Sequence, residues 1–308
     1  MTPPNGSQPP CCASTSAPVS SRLALGTVRF GMRYGIDNDG EMLSLEAAQS
    51  IVTHAQALGF AVLDTAIAYG ESEARLGAIG VAAWRVVSKL PAIPQSCTDI
   101  GAWVHREVLG SLGRLRANKL YGLLLHEAQQ LAGPRGDGIY DALSAVKEVG
   151  LVEKIGVSIY APDELASLCA RFRLDLVQAP YNVIDRRLVT SGWLARLRDE
   201  GIEVHARSLF LQGLLLMPSA RRPAHFSRWQ SLWDLWESWL CEHGLTAIQG
   251  CLGFALAQPL FNHFVVGVDS VEHLQEIAAC AGTRTAAPPD ALASEDADLV
   301  NPSRWSVN

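Results

Sequence analysis

The chain has 308 residues, of which 48% are hydrophobic and 18% are charged, and its formal net charge at pH 7 is −6. This is an ordinary composition for a soluble protein, and the acidic balance argues against a general nucleic-acid binder, which usually carries a basic stripe. No stretch approaches the roughly 20 apolar residues of a membrane span. We therefore expect neither nucleic acid nor a membrane as a partner.

The N-terminal segment and the cysteines bear on the cellular compartment of the protein. Residues 1–21 are rich in Pro, Ser and Thr and lack the charged start and apolar centre of a secretory signal, so we predict a disordered tail. The seven cysteines are odd in number and match no zinc spacing, so we predict free thiols, a reducing cytoplasm and no metal site.

Between residues 22 and 283, short apolar runs alternate with longer amphipathic stretches. The predicted strands are 22–27, 60–66, 85–90, 119–127, 152–160, 174–182, 202–210 and 263–270. The predicted helices are 44–59, 71–80, 99–117, 138–149, 162–171, 186–200, 228–257 (as two helices) and 270–281. Near-continuous apolar runs are typical of parallel strands that are covered on both faces.

Eight strand–helix units predict an α/β fold, specifically a single-domain (β/α)8 TIM barrel over residues 22–283. The alternative is an open doubly wound sheet, but the first strand lacks the glycine-rich turn of that fold. Residues 284–308 form a C-terminal tail in which Trp305 is able to dock over the barrel mouth.

Polar residues stand at the C-terminal ends of the predicted strands, where barrel enzymes place functional groups. Asp64 and Tyr69 follow the second strand, Lys89 is in the third and His126 in the fourth. Each alone has a structural explanation, as a cap, a solvated strand end or a core histidine. Together they suit proton transfer, because an ammonium lowers the pKa of a tyrosine from its ordinary value near 10. We predict a general acid that protonates a carbonyl oxygen oriented by His126.

The motif LDTAIAYGESEARLG (63–77), followed in order by SKL, LLLHE, KIGVS, VQAPYN and VVGVDSVEHL, resembles the aldo-keto reductase family over about residues 22 to 282. The resemblance, to bacterial members, implies an NAD(P)H-dependent reductase of an aldehyde, ketone or sugar-type carbonyl. Tyr69 would be the general acid, Lys89 would tune it, Asp64 would hold Lys89, and His126 would orient the carbonyl. The resemblance favours NADP(H) over NAD(H) and a small-molecule substrate, and it leaves the oligomeric state open.

The residues that the resemblance assigns to the cofactor depart from the family pattern in two places. Ile159 replaces the usual asparagine, which leaves Asn182 as a substitute, and Arg207 stands where a tyrosine often stacks on the nicotinamide. The two positions that the resemblance assigns to the NADPH 2′-phosphate are Gly267 and His273, and only His273 is a potential cation. The expected cofactor contacts are Gly26, Thr27, Ser158, Gln178, Arg207, Ser208, Leu209, Gln212, Gly213, Gly267, Ser270 and His273.

The sequence is also compatible with two other functions. Ile159 and Arg207 would also suit a non-redox reaction with retained cofactor, such as an epimerisation or elimination, and some relatives of this fold are non-catalytic regulators. The tryptophans of residues 228–240 recur at helical spacing, which favours packing over a sugar-binding surface. We interpret the arginine pairs at 186–187 and 221–222 as solvated surface residues and not as a site for an anionic substrate.

Overall fold

The computed structural model describes residues 19–36 and 42–305, so the predicted disordered tail lies almost wholly outside the described residues. Eight parallel strands close into a barrel in chain order. This arrangement confirms the predicted (β/α)8 fold. The strands are β1 Leu23–Gly26, β2 Val62–Asp64, β3 Arg85–Leu90, β4 Leu120–Leu125, β5 Val152–Ser158, β6 Leu176–Pro180, β7 Glu203–Arg207 and β8 His263–Gly267.

The strands are joined by longer helices and by several single turns. The helices are α1 Val28–Gly31, α2 Leu45–Ala57, α3 Ser72–Ile79, α4 Ile100–Leu115, α5 Gln129–Ala132, α6 Gly136–Glu148, α7 Glu164–Arg171, α8 Arg187–Thr190, α9 Trp193–Asp199, α10 Gln230–Glu242, α11 Ala247–Leu256, α12 Val271–Cys280 and α13 Ala297–Val300. The predicted division of residues 228–257 into two helices is confirmed. The single helix predicted for 186–200 is wrong, because Gly192, with φ of 79°, separates α8 from α9.

Side chains inside the barrel form an apolar layer below a polar one. Ala24, Val62, Val87, Leu124 and Leu176 are fully buried and form one cluster. Side chains alternate between the two faces of a strand, so the residue two positions further along points the same way. The inward residue after Val62 is therefore Asp64, after Val87 it is Lys89, and after Leu176 it is Gln178. The strands thus place polar side chains at the C-terminal mouth of the barrel, directly above the apolar layer.

The C-terminal segment packs onto the barrel beside the loop that follows β6. Leu292, Leu299 and Val300 are buried. Trp305 lies edge-on to Phe226, with ring centroids 4.9 Å apart. An ion pair of 3.1 Å joins Arg186 to Asp290 in the same segment. The segment therefore contributes apolar side chains to the core.

The tryptophan stripe lies on α10 and faces inward. Trp233, Trp236 and Trp239 are buried, and the first two donate their indole N–H to the backbone carbonyls of Phe226 and Leu215. The packing interpretation of this stripe is confirmed. The five described cysteines are free, whereas Cys11 and Cys12 lie outside the described residues. Across residues 19–36 and 42–305, no helix has the length and apolar character to cross a membrane.

Candidate active site

A cleft of about 360 Å³ opens at the C-terminal mouth of the barrel. Its walls come from the ends of β1, β2, β6, β7 and β8 and from the loops that follow them. Most of the predicted site residues lie on this cleft; Lys89, His126, Ser158 and Ser270 do not reach its wall. The predicted residues on the wall are Gly26, Thr27, Asp64, Tyr69, Gln178, Arg207, Ser208, Leu209, Gln212, Gly213, Gly267 and His273.

Asp64 and Lys89 form a buried ion pair directly below the cleft. Lys89 Nζ donates to Asp64 Oδ1 at 2.7 Å and to the backbone carbonyl of Thr65 at 2.9 Å. Gln178 Nε2 donates to the other carboxylate oxygen, Oδ2, at 2.6 Å. Such a pair survives burial only when further hydrogen bonds satisfy both charges. Gln178 therefore holds Asp64 in place, a role that the sequence did not indicate.

A close backbone crossing places Tyr69. A Cβ atom on Gly31 would lie 1.8 Å from the carbonyl oxygen of Tyr69, so only glycine fits at that position. Gly70 has φ of 54°, a left-handed conformation that glycine adopts at little cost, and its own Cβ would meet Gly31 O at 2.4 Å. The two glycines let the loop after β1 touch the loop after β2. Tyr69 is thereby fixed at the mouth, on the wall of the cleft.

The pKa of Tyr69 is raised overall, whereas the sequence predicts that Lys89 lowers it. Burial, and next the carboxylate of Asp64, raise the pKa of Tyr69 well above its ordinary value, and Arg207 offsets part of the rise. Lys89 Nζ lies 5.2 Å from the centre of the tyrosine ring, and its charge is directed at Asp64. Burial also lowers the pKa of Lys89 itself. Tyr69 therefore keeps its phenolic proton at neutral pH.

His126 stands beside Tyr69 as a neutral ring. The two ring centroids are 5.8 Å apart and the planes meet at 75°. Burial lowers the pKa of His126 to about 4, and the charges of Lys89 and Arg207 push it in the same direction. A neutral imidazole has one N–H donor and one acceptor. His126 can therefore offer a hydrogen bond to a carbonyl oxygen without itself being an acid at neutral pH.

Hydroxyl groups tie the β1 and β2 loops together below the cleft. Ser72 donates to the carbonyl of Thr27 at 3.0 Å, and Thr27 donates to the carbonyl of Asp64 at 2.9 Å. Thr65 and Ser72 share a hydrogen bond of 3.0 Å. Thr27 therefore braces the backbone that carries Asp64 as well as lining the cleft.

Glu73, from the same motif, points away from the cleft into the core. Its carboxylate accepts hydrogen bonds from Ser88 at 2.7 Å, Ser111 at 2.6 Å and Arg114 Nε at 2.8 Å. These partners lie on β3 and α4, and the carboxylate side chain is almost fully buried. Glu73 is thus a structural anchor that joins α3 to its neighbours.

Arg207 is held by neighbouring groups at the end of β7. Its guanidinium donates to the carbonyl of Ile159 at 2.9 Å and to Ser208 Oγ at 3.1 Å, and its Cζ lies 4.6 Å from the ring centre of Tyr160. Ile159 itself is fully buried. A fixed positive charge therefore lines the cleft close to Tyr69.

Asn182 does not replace the missing asparagine at position 159. Its side-chain amide donates to the carbonyl of Ser208 at 3.0 Å and accepts from the backbone of Ile184 and Asp185. These bonds use the side chain to support the loop after β7. Ser158 is likewise buried and donates a long bond of 3.4 Å to Gln178, so it supports that residue from behind.

The loop after β7 has an unusual backbone. Ser208, Leu211 and Gln212 have φ of 59°, 48° and 52°, although none is glycine. Left-handed conformations are uncommon for residues with a side chain and favour a fixed local fold. The Gln212 carbonyl accepts a bond of 3.1 Å from the backbone of Ile36. The loop is therefore clamped to the chain after β1 across the cleft.

The β8 end of the cleft carries opposite charges that the sequence analysis missed. Arg29 pairs with Asp269 at 2.9 Å, and His273 Nδ1 lies 4.0 Å from the same carboxylate. All three line the cleft. Ser270 caps α12 by accepting from the backbone N–H of His273 at 3.1 Å. Arg29 is therefore a second cation at this end, outside the two positions, 267 and 273, that the sequence analysis considered. Arg29 was identifiable from its place two residues after Thr27.

The arginine pairs are mostly structural. Arg187 makes a salt bridge of 2.8 Å with buried Asp185. Arg222 has a nearly buried side chain that pairs with Glu237 at 3.1 Å. The expectation of solvated surface is therefore wrong for these two. Arg221 lines the cleft.

Comparison with known proteins agrees with this architecture. The model of the aldo/keto reductase family matches residues 22–285. No curated protein matches significantly. Among solved structures, an aldo-keto reductase from Bacillus halodurans in its holo form superposes with a TM-score of 0.67 at 20% identity, over 88% of this chain and 88% of that chain. The apo form of the same protein gives a TM-score of 0.65 at 19% identity, over 86% and 88%.

A Pseudomonas aeruginosa protein, provisionally assigned as an aldo-keto reductase, gives a TM-score of 0.61 at 23% identity, covering 84% of this chain and 89% of that one. At these sequence identities the structural similarity shows only a shared fold. Family membership is shown by the match of the family model to residues 22–285. The chain belongs to the aldo/keto reductase family of oxidoreductases.

Proposed function

We propose that the protein reduces an aldehyde, ketone or sugar-type carbonyl with a nicotinamide nucleotide, and that Tyr69 donates the proton. The observation that carries the proposal is the buried ion pair of Lys89 and Asp64, whose charged atoms are 2.7 Å apart. The pair lies below Tyr69, which is protonated and lines the cleft. A buried tyrosine beside an ion pair and a neutral histidine is an arrangement for general acid catalysis.

The cleft residues fit an extended dinucleotide. A Cβ atom on Gly213 or on Gly267 would meet nothing within 4 Å, so the cleft leaves open space against the backbone at both places. Gly213 belongs to the loop after β7 and Gly267 ends β8, and both line the cleft. Ser208, Leu209 and Gln212 would hold the middle of the nucleotide, with Gln178 and Arg207 at one end and Arg29 and His273 at the other.

The bound reduced nicotinamide supplies the hydride that goes to the carbonyl carbon. Tyr69 holds its proton at the phenolic oxygen until the carbonyl oxygen gains negative charge, because burial and Asp64 raise its pKa. His126, with a pKa lowered to about 4, donates a hydrogen bond to the same oxygen and orients it. Loss of the proton from Tyr69 leaves a phenolate near the ammonium of Lys89 and the guanidinium of Arg207, which stabilise it.

Arg207 supports a second candidate function. A cation beside the nicotinamide disfavours its oxidised, positively charged form, since like charges repel in a site of low dielectric. The guanidinium cannot lose its proton and is fixed by the carbonyl of Ile159. The second candidate is therefore a reaction without net redox change, in which the nucleotide stays bound.

The test follows the absorbance of NADPH and NADH during incubation with aldehydes, ketones and sugar carbonyls. Steady loss of the reduced nucleotide that requires the carbonyl compound is the expected result. Nucleotide that copurifies with the chain and stays unconsumed, while a sugar substrate is converted, would favour the second candidate. Tight nucleotide binding with no turnover of any compound in the wild-type protein would contradict both.

A further inference from the structure

Glu203, His205 and His263 form a polar cluster at the end of the barrel opposite the cleft. Glu203 is the first residue of β7 and His263 is the first residue of β8, with His205 paired across to His263. Glu203 lies four residues before Arg207 on β7, about 13 Å away at the rise of a strand, and His205 lies two residues before it, about 7 Å away. None of the three cluster residues lines the cleft, so the cluster lies below the proposed carbonyl site and not in it.

The three side chains are buried and close together. Each can offer one ligand atom such that these atoms lie within 4.8 Å of one another. The exposed fraction is 8% for Glu203, 0% for His205 and 7% for His263. His205 Nε2 lies 2.6 Å from Glu203 Oε1, and the two imidazole rings have centroids 4.9 Å apart.

Both histidines keep one ring nitrogen without a partner. Nδ1 of His205 and Nδ1 of His263 are buried and have no hydrogen-bond partner among the described residues. A buried polar atom without a partner is costly, and a bound ion is one of the explanations for it.

We propose that Glu203, His205 and His263 bind a divalent cation of the zinc type at the N-terminal end of the barrel. Two imidazoles and a carboxylate are a common donor set for zinc, with a water in the fourth position. Ligand atoms at zinc bond lengths of about 2.1 Å lie about 3.4 Å apart in a tetrahedron, so small side-chain rotations close the observed spacing. The ion would tie β7 to β8, which pair through His205↔His263 and Ala206↔Phe264.

Two neighbouring cations limit the affinity. Lys154 Nζ contacts Glu203 Oε2 and lies 2.8 Å from the hydroxyl of Tyr121. The guanidinium of Arg85 lies 5.1 Å from the ring centre of Tyr121. Both charges repel a divalent ion beside Glu203. Removal of the lysine charge should therefore tighten binding, whereas a merely structural Lys154–Glu203 pair gives no such effect.

The experiment titrates tag-free, chelator-treated full-length protein with Co²⁺ and with Zn²⁺. Cobalt reports its ligands through its visible absorption, and zinc binding is followed by calorimetry. The wild-type protein should take up one ion per chain, and saturating zinc should raise its melting temperature by about 5 °C or more. The variants are His263→Gln, which removes a ligand, Lys154→Met, which removes the competing charge, and His54→Gln, an exposed control on α2.

His263→Gln should weaken binding at least tenfold, Lys154→Met should tighten it several-fold, and His54→Gln should match the wild-type protein. His263→Gln lies at a strand end and should still fold, which circular dichroism checks. The proposal is overturned if the wild-type protein binds no ion, or if His263→Gln binds as tightly as wild type. It is also overturned if cobalt shows thiolate charge-transfer absorption, because the ion would then sit on cysteines, or if Lys154→Met leaves the affinity unchanged.

Discussion

At the scale of single residues, a substitution at Tyr69 tests the proposed general acid separately from nucleotide binding. Tyr69→Phe removes the phenolic proton and keeps the ring that lines the cleft. We expect kcat to fall by about 10²–10⁴-fold, the usual contribution of general acid catalysis, with little change in the Kd of NADPH. Steady-state kinetics and fluorescence titration measure the two quantities. More than a third of wild-type kcat in the variant would disprove the assignment.

Lys89 and Asp64 act as a unit. Lys89→Met leaves the Asp64 carboxylate buried beside Gln178 alone, and loss of one partner of a buried pair costs about 3–5 kcal/mol. We expect a large loss of stability together with loss of activity, measured by chemical unfolding and turnover. The matched variant Asp64→Asn/Lys89→Met should recover part of the stability and none of the activity. A single variant as stable as wild type would contradict the buried-pair argument.

His126 makes stability depend on pH. The pKa of His126 is about 4 in the folded protein, and its ordinary value, expected in the unfolded chain, is 6.5. Between pH 4 and pH 6.5 the unfolded chain therefore binds more protons than the folded protein. Stability should therefore fall as pH decreases from about 6.5 towards 4. His126→Gln should lose less stability than the wild-type protein between pH 7 and pH 5, as measured by urea unfolding. His263, whose pKa is also lowered, titrates in both proteins and cancels in the comparison. Equal losses would show that His126 is not held neutral.

The charges at the β8 end bear on nucleotide choice. Arg29 and His273 attract a 2′-phosphate, whereas Asp269, which touches both, repels it. We expect NADPH to bind at most about tenfold more tightly than NADH, or about 1.4 kcal/mol. Asp269→Asn should increase that ratio several-fold in titrations with both nucleotides. A hundredfold preference in the wild-type protein, or no change in the variant, would place the phosphate elsewhere.

At the scale of elements, the crossing of Gly31 and Gly70 is a steric constraint on the position of Tyr69. Gly31→Ala forces a Cβ atom against the Tyr69 carbonyl, so the two loops must separate. We expect loss of activity and of several degrees in melting temperature. Gly113→Ala is the control, because it lies inside α4 with no atom within 4 Å of its Cβ and should stabilise the protein by about 0.5–1 kcal/mol. An active, stable Gly31→Ala variant would contradict the crossing.

The strands were predictable because each is an apolar run followed by an amphipathic stretch. Their ends were not: residues 202–210 were predicted as one strand, but β7 stops at Arg207. Beyond it, the left-handed residues Leu211 and Gln212 carry side chains, and no local propensity indicates that conformation. The polar residues at strand ends were predictable from the alternation of faces. Contacts between distant segments, such as Gln178 with Asp64, depend on how the barrel closes and have no local pattern.

At the scale of the whole molecule, the segment after the barrel should contribute to stability. Leu292, Leu299 and Val300 are fully buried, and each such side chain is worth about 1.5–3 kcal/mol. Truncation after residue 285 should therefore lower the melting temperature by more than 5 °C, roughly the effect of several kcal/mol in a chain of this size. Deletion of residues 1–18, which the sequence predicts to be disordered, is the control and should change it little. Equal melting temperatures for the protein truncated after residue 285 and the full-length protein would mean that the C-terminal segment only lies on the surface.

The burial of Glu73 has a consequence for how this motif evolves. Its carboxylate ties together Ser88, Ser111 and Arg114, so selection for a folded barrel is enough to keep it. A descendant that lost its chemistry would still carry the Ser-Glu half of the motif. Tyr69 lines the cleft and has a proposed catalytic role, so in such a descendant its side chain would no longer be under selection for catalysis. A pseudoenzyme with this fold should therefore be recognised by the missing tyrosine and not by a missing motif.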